Sequence, residues 1–377
     1  MKNIEQIEDS PLSIDETPIK LFSLRRTLRY MRRRKSFAAG LFIVALFYGI
    51  AIFADFLAPY DYRLQTRNEP AEPQSAIHFT DAQGNFHLRP FIYASRMVDP
   101  LERRYEEDTR TAYPLAFLTK GYSYKLFGLF PTSRHLFGLE EAGDAAHIRL
   151  LGTDAIGRDR FSRLLIASRF SLIVGPLGTL LASALGILIG CIAGFGGRIL
   201  DAILMRAADA MMALPSLVLV LAARAAFPDK LPPVRAALLM ITIFVAVGWA
   251  EMARLARGLV LSLRQREFVL AAESLGLSRM RILFRHILPN AARPLLVQVT
   301  LMLPYFLLTE TALSFLGVGL QEPEVSWGYL LKDAGDTNLL RAQPLTLLAP
   351  AIAIFIFVLG VRLLSDGLRT KTERGSL

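Results

Sequence analysis

The sequence is poor in the residues that build covalent cross-links and metal centres. Cys191 is the only cysteine among 377 residues, which excludes a disulfide framework and a cysteine-based metal cluster. The five histidines include no close pair at the spacing that metal ligands require. We therefore expect no metal site in this chain.

Motifs for nucleotide hydrolysis and nucleophilic catalysis are missing as well. No lysine directly follows a glycine, which excludes a phosphate-binding loop of the Walker A type. The sequence also lacks G-x-S-x-G, H-E-x-x-H and C-x-x-C patterns. We expect a protein that is not an enzyme, has no catalytic residues and binds no cofactor of its own.

Apolar residues dominate the composition instead. They make up 53% of the chain, with a mean hydropathy of +0.38, which indicates several membrane spans. Runs of about 20 apolar residues are long enough to cross a bilayer as helices. We predict an all-α membrane protein with six transmembrane helices, at 37–59, 169–194, 203–226, 234–256, 291–316 and 345–366.

The net charge of +10 is distributed as membrane topology requires, so we expect no nucleic-acid partner. Seven basic residues between Arg25 and Lys35 precede the first span, which predicts a cytoplasmic N-terminal segment, 1–36. With six spans, the basic tail 368–377 is cytoplasmic too. The arginine-rich loop 264–290 then lies inside, and the more acidic loop 317–344 lies outside.

An insertion of about 100 residues, 60–160, separates the first two spans on the extracytoplasmic side. Within it, 76–93 alternates between apolar and polar residues and turns at Gly84-Asn85, which predicts a β-hairpin. The insertion is interpreted either as a small cap packed on the spans or as a docking surface for a partner. One cap can do both.

Small residues recur at every fourth position of the second span. Ala182, Gly186, Gly190 and Gly194 share one helix face, which predicts close helix packing. The spacing leaves open whether the packed helix belongs to this chain or to another subunit.

Two carboxylates and a proline stand out near or within the spans. Asp209 and Glu310 are predicted to face protein or water, because an ionised group is costly in a bilayer. Each either lines a solute path or fixes helix packing through hydrogen bonds, and the packing role is favoured. Pro215, and Pro304 ahead of Glu310, predict helix kinks.

The segment 266–290 has more internal order than a simple connecting loop needs. Glu267 opens a stretch of helix formers, in which Ala271 and Ala272 give a smooth face. Gly276 suits a helix end, where glycine readily adopts the left-handed backbone conformation. These residues predict a short helix that stops at Gly276.

A second short helix is predicted after this glycine. Ser278 is a suitable N-cap, and arginines that include Arg281 follow it. Leu288 and Pro289 are predicted to end the helix before the fifth span. Two short helices favour a compact surface that a cytoplasmic partner binds. The alternative is a solvated basic loop on lipid headgroups.

This segment resembles the EAA loop of ATP-binding-cassette importer permeases, whose coupling helices dock into a nucleotide-binding subunit. The resemblance rests on Ala271-Ala272-x-x-x-Gly276 and Leu288-Pro289, although Leu270 stands where the family's glutamate is usual. Further stretches are similar to the C-type permease of the dipeptide/oligopeptide branch, in the same order along the chain: 150–172, 249–276, 310–331 and 363–375.

The resemblance implies a type I importer permease with six transmembrane helices. Its first helix is 37–59, and a core of five helices covers 161–367. The chain departs from the branch at Glu322-Pro323, where two prolines are usual, and in its longer insertion, with some β-structure. The residues implied in coupling to an ATPase subunit are Glu267, Ala271, Ala272, Gly276, Ser278, Arg281, Leu288 and Pro289.

The implied partners are a sister permease, two cytoplasmic ATPase subunits that hold ATP and magnesium, an extracytoplasmic solute-binding protein and the lipid of a bacterial inner membrane. Peptides are the implied solute class. Two other functions remain open from the residues alone: a secondary transporter or channel driven by an ion gradient, and a membrane scaffold that displays its cytoplasmic loop without transporting a solute.

Overall fold

The computed structural model describes residues 35–100, 103–140, 143, 145–228, 231–335, 339–340 and 343–368. The basic N-terminal segment, apart from Lys35 and Ser36, and all of the tail except Leu368 lie outside the described residues. In chain order the helices are α1 Lys35–Ile52, α2 Ala54–Leu57, α3 Arg160–Phe195, α4 Arg198–Ala213, α5 Ser216–Ala225, α6 Pro233–Arg264, α7 Glu267–Ser274, α8 Arg279–Ile282, α9 Leu288–Phe315, α10 Trp327–Leu330 and α11 Pro344–Leu368.

The described helices agree with a six-span membrane core. Five of them are long and apolar enough to cross a membrane, and the pair α4–α5 makes a sixth if it counts as one span. The kink predicted within the span 203–226 is present as a break, at which α4 and α5 meet at 87°. The break falls at Leu214 and Pro215: Leu214 is extended, as residues before proline prefer, and Pro215 has no N–H to continue the helix.

The first span is shorter than predicted. Helix α1 ends at Ile52, and the separate turn α2 carries the chain on to Ala58. Ala58 is extended because Pro59 follows it. The predicted end at residue 59 therefore counted apolar residues that lie beyond the helix.

The second and fourth spans are longer than their apolar runs. Helix α3 begins at Arg160, nine residues before the predicted start, where the carboxylate of Asp159 accepts a hydrogen bond from Ser162 N–H at 2.7 Å. Helix α6 continues to Arg264. Hydropathy marks where a helix stays apolar, and both helices continue beyond that stretch with charged residues, of which Arg160 and Arg163 of α3 are buried within the protein.

The insertion between α2 and α3 is built from β-strands. The strands are β1 His78–Thr80, β2 Phe86–Asp99, β3 Arg104–Phe117, β4 Lys120–Leu126, β5 Phe130–Arg134 and β6 Phe137–Leu139. An antiparallel sheet has the order β1-β2-β3-β6, while β4 and β5 form a separate hairpin. The turn between β1 and β2 contains Gly84 and Asn85, and Asp81 Oδ1 accepts the N–H groups of Gln83 and Asn85 at 3.0 and 2.8 Å.

Helix α3 packs directly against α6 along its small-residue face. A Cβ atom added to Gly186 would lie 2.6 Å from Met252 Cβ, and one added to Gly190 would lie 2.4 Å from the carbonyl oxygen of Ala253. Ala182 and Gly194 lie on the same buried face. The helix that packs on this stripe therefore belongs to the same chain.

Candidate functional site

The loop 264–290 folds against the end of α3 that is far from the insertion. Helix α7 turns Val269 and Ala272 inward, where they join a buried cluster with Cys191 and Val260. The first turn of α7 carries Glu267, whose charge suits a helix N-terminus. The alanine pair is thus divided: Ala272 packs on the spans, while Ala271 faces outward.

Gly276 ends α7 in a Schellman arrangement. Its N–H donates to the carbonyl of Glu273 at 2.9 Å, and the N–H of Leu277 donates to the carbonyl of Ala272 at 3.2 Å. The φ angle of Gly276 is +78°, and no atom lies within 4 Å of a Cβ built there. Backbone conformation, rather than space, therefore favours glycine at this position.

The second half of the loop differs from the prediction in two ways. Ser278 precedes α8, but its side chain makes no capping hydrogen bond. Pro289 does not end the helix, because a π-helical turn, Leu283–Ile287, joins α8 to α9 in one continuous helix, Arg279–Phe315. The wider turn accommodates proline, and Asn290 Nδ2 donates to the carbonyl oxygen of His286 at 2.6 Å.

The outward face of the loop is apolar with basic residues around it. Leu275 is 81% exposed, and the other large side chains on this face are also solvent-accessible. Contiguous exposed apolar groups of this kind mark interaction sites. We call this face the loop surface; its members are Phe268, Leu270, Ala271, Leu275, Met280 and Phe284, with Arg266, Arg279, Arg281 and Arg285 beside them.

A second candidate site is an open groove of about 460 Å³ beside the α4–α5 break. Helices α6 and α9 complete its wall, and Gln298 Nε2 donates to Glu251 Oε1 at 2.8 Å. Ser216 hydrogen-bonds to the hydroxyl of Tyr305 across the groove. The groove therefore combines apolar walls with a few converging polar groups, as solute sites do.

Comparison with known proteins identifies the family. A family model described as the binding-protein-dependent transport system inner membrane component matches residues 186–375, half of the chain. The chain belongs to this family. It is the permease subunit of an ATP-binding-cassette importer and an integral inner-membrane protein. It is not an enzyme, since ATPase activity lies in separate subunits.

Relatives and a second family model agree with this assignment. The model for the N-terminal TM domain of oligopeptide transport permease C matches residues 23–73 of the permease. An oligopeptide transport system permease protein of Bacillus subtilis is 39% identical over 221 residues, 58% of this chain and 69% of the relative. A dipeptide transport system permease protein of Alkalihalophilus pseudofirmus is 40% identical over 218 residues, 58% and 69% of the two chains. A probable D,D-dipeptide transport system permease protein of Escherichia coli is 38% identical over 225 residues, 60% and 72%.

The two carboxylates singled out in the permease sequence have partners outside the groove. Asp209 forms an exposed ion pair with Arg254. Glu310 is fully buried and accepts hydrogen bonds from Ser171 at 3.0 Å and Ser314 at 2.7 Å. Pro215 lies next to the groove residue Ser216, so it is the member of this set that borders the groove.

Sequence reasoning missed Glu251, Gln298 and Tyr305 as groove residues of the permease. Glu251 had a signal, since it is a carboxylate near the end of an apolar run. Gln298 and Tyr305 lie in the fifth span and give no such signal. Their role depends on α9 lying beside α6.

Ion pairs connect the insertion, the start of α3 and the loop after α9. Arg158 bonds Glu322 through both terminal nitrogens, at 2.5 and 2.7 Å, and Asp154 through Nε at 2.7 Å. The hydrogen bonds from Arg158 lower the pKa of Glu322 to about 2. Glu322, which stands where the family usually has proline, is thus half of a bidentate ion pair.

A second buried cluster surrounds Arg149 in the permease. Arg149 Nη2 lies 2.6 Å from Glu69 Oε2, and its guanidinium lies over the ring of Tyr60. Burial alone would raise the pKa of Glu69, but hydrogen bonds from His147 and Arg149 lower it to about 2. Burial, and then the charge of Glu69, raise the pKa of Glu72 to about 8. Glu69 and Glu72 therefore share Arg149 as a partner, and their pKa values lie far apart.

Proposed function

We propose that the permease carries peptides across the inner membrane. The support is that its relatives are named as oligopeptide and dipeptide permeases and cover well over half of the chain. An extracytoplasmic binding protein would deliver the peptide, and a sister permease would complete the path. Two cytoplasmic ATPase subunits would hold ATP and magnesium.

The proposed orientation places both termini and the loop 264–290 in the cytoplasm. The basic residues before the first span and in the loop support it. The insertion and the 317–344 loop are then extracytoplasmic, where a binding protein docks. Their joining by the Arg158–Glu322 ion pair supports one combined outer surface.

The observation that carries the coupling proposal is the exposed loop surface at the end of a helix firmly packed on the spans. Ala272 and Val269 bind α7 to the core, so a push on the outer side of α7 reaches α3 and α6 as a rigid-body displacement. The coupling residues predicted from the sequence divide accordingly. Ala271 and Arg281 would contact the ATPase, Gly276 would set the turn, and Ser278, Leu288 and Pro289 would only position the helix.

The coupling proposal is tested by Ala271→Asp in the complete importer, reconstituted in liposomes with ATP inside and binding protein with labelled peptides outside. We expect peptide uptake to fall much more than the amount of assembled permease, because an unpaired carboxylate is costly to bury in a contact. Ser262→Asp, at an exposed position on α6, is the matched control. Normal uptake by Ala271→Asp would contradict the loop surface, and peptide uptake without ATP would contradict the importer mechanism.

The groove beside the α4–α5 break is proposed as part of the peptide path. Glu251 is exposed in it, and a carboxylate there would attract the ammonium group of a peptide. Removing a hydrogen bond to a charged group costs about 1.5–3 kcal/mol, so we expect Glu251→Gln to lower peptide uptake roughly tenfold or more. ATPase activity stimulated by the binding protein should be largely kept.

Glu251→Asp is the control for this variant, since it retains the charge. We expect it to transport better than Glu251→Gln, measured as initial uptake at a fixed peptide concentration. Equal uptake by wild type and Glu251→Gln would remove Glu251 from the path.

A further inference from the structure

The β4–β5 hairpin of the insertion ends in an apolar tip. Its last residues are Leu126, Phe127, Gly128, Leu129 and Phe130. Leu129 is 74% exposed and Phe130 64%, so these side chains do not contribute to a core within the described chain. An exposed apolar cluster of this kind requires something to cover it.

The turn itself does not select these side chains. Leu129 N–H donates to the carbonyl of Leu126 at 3.1 Å, and both Phe127 and Gly128 have positive φ angles, +55° and +72°. Asparagine, aspartate and glycine are the usual residues for such turns. Phenylalanine at this position is therefore explained by a contact of its ring rather than by the backbone.

The hairpin is firmly placed at its base. His135, which follows β5, lies with Nδ1 3.1 Å from the carbonyl oxygen of Asp55 and Nε2 3.0 Å from that of Tyr122. Asp55 belongs to α2, directly after the first membrane helix. These contacts fix the base of the hairpin to α2, directly after α1. The position of the tip relative to the end of α1 is therefore fixed as well.

The tip lies level with the end of α1 and the start of the apolar run of α3, which are the ends of two candidate membrane spans. The ring of Phe127 packs edge-on against that of Phe53, just past the end of α1, with 5.5 Å between centroids. Phe127 and Gly128 also line an open groove of about 540 Å³ together with Ile52 and Ile173. Ile173 lies four residues past Arg169, about 6 Å further along α3 into its apolar run.

The residues around the tip are those of a membrane interface. Lys125 precedes the tip on β4, and Tyr122 and Tyr124 lie further up the same strand. Tyrosine concentrates at the level of lipid headgroups, and lysine can extend its ammonium group to the water while its stem stays in an apolar layer. Along β4 the chain thus passes from Lys120 through the two tyrosines and Lys125 to the apolar tip.

We propose that the tip 126–130 is inserted into the lipid leaflet on the insertion's side of the membrane, the outer leaflet in the proposed orientation. The surface that continues from the tip is the exposed end of a membrane helix, Ile52 and Phe53, so acyl chains that cover the helix end also cover the tip. The hairpin anchors the insertion to the bilayer and fixes its height above the membrane. This inference does not depend on which solute is carried.

The test places a spin label at Leu129→Cys in a Cys191→Ala background, with the complete importer in lipid nanodiscs. Collisions of the label with oxygen, which partitions into lipid, are compared with those of a water-soluble nickel chelate. We expect high oxygen accessibility and strongly reduced nickel accessibility at position 129. Phe130→Cys provides a second position on the tip with the same expectation.

Gln83→Cys, in the exposed turn between β1 and β2, is the matched control and should show ready access to the nickel chelate. A nickel accessibility at 129 and 130 equal to that at 83 would show a tip in water and overturn the proposal. Low accessibility to both reagents would show burial against protein, either the sister permease or the binding protein, and would overturn it as well.

Discussion

At the scale of single residues, the environment decides what each ionisable group does. Glu310, the more conspicuous carboxylate in the sequence, is enclosed by serine hydroxyls and joins α3, α9 and the turn at Trp327, whose backbone N–H donates to Ser171 at 3.2 Å. Glu251 is exposed in the groove. The same residue type therefore holds helices together at one site and, at the other, lies exposed in the groove proposed as part of the peptide path.

A pH dependence is expected from Glu72. Its pKa is about 8 in the folded protein against 4.5 as the ordinary value, so the folded state holds this proton more tightly. The stability from that proton is fully present below pH 4.5 and is lost as the pH rises through about 8. We expect Glu72→Gln to lose this part of the pH dependence and to melt above wild type at pH 9.

Thermal unfolding in detergent at pH 5 and pH 9 measures this effect. Glu106→Gln is the control, because Glu106 is a largely exposed carboxylate on β3. If the melting temperature falls by the same amount between pH 5 and pH 9 in Glu72→Gln and in wild type, Glu72 does not titrate as described.

At the scale of elements, the contact between α3 and α6 depends on the absence of side chains. A methyl group at Gly190 would meet the Ala253 carbonyl at 2.4 Å and the Ala256 Cβ atom at 2.7 Å. We expect Gly190→Ala to destabilise the permease by about 1–3 kcal/mol, since overpacking forces the helices apart. A melting temperature in detergent reports the loss.

Gly258→Ala is a control on the partner helix. No atom lies within 4 Å of a Cβ built there, so the added methyl group meets no neighbour. Alanine is favoured over glycine within a helix by about 1 kcal/mol, and this variant should be neutral or slightly stabilised. Equal destabilisation by both variants would mean that the α3–α6 contact is not the cause.

The loop 264–290 shows how much of an element a local sequence pattern can predict. The end of α7 was predicted at Gly276, because a glycine turn signal depends on a few neighbouring residues. The division between Ala271 and Ala272 was not predicted, because it depends on which side of α7 meets Cys191 and Val260 of distant helices. The continuous passage through Pro289 was also missed, since proline within an apolar sequence ordinarily predicts a stop.

At the scale of the whole molecule, the insertion and the membrane core are joined by charges far apart in sequence. Arg158 and Glu322 are separated by 164 residues. The double variant Arg158→Ala, Glu322→Ala should lose less free energy of unfolding than the sum of the losses in the two single variants. We expect a coupling energy of about 1–3 kcal/mol. Stability in detergent above pH 5 is the measurement.

The same pair predicts a response to acid. The pKa of Glu322 is lowered to about 2, so its contribution to the stability of the folded protein is present above pH 4.5 and is lost as the pH falls towards 2. The coupling energy should therefore shrink in strongly acidic buffer. Additive single changes at neutral pH would show that the ion pair does not hold the two parts together.

The sequence by itself determined the class of this protein, because apolar run length, charge at run ends and short motifs such as Ala271-Ala272-x-x-x-Gly276 are local properties of a chain. Tertiary structure alone decided the groove of Glu251 and Gln298 and the pairing of Arg158 with Glu322. Each of these requires helices or loops distant in sequence to meet. A one-dimensional pattern shows which residues favour water or lipid, but contacts between elements determine which neighbour each residue meets.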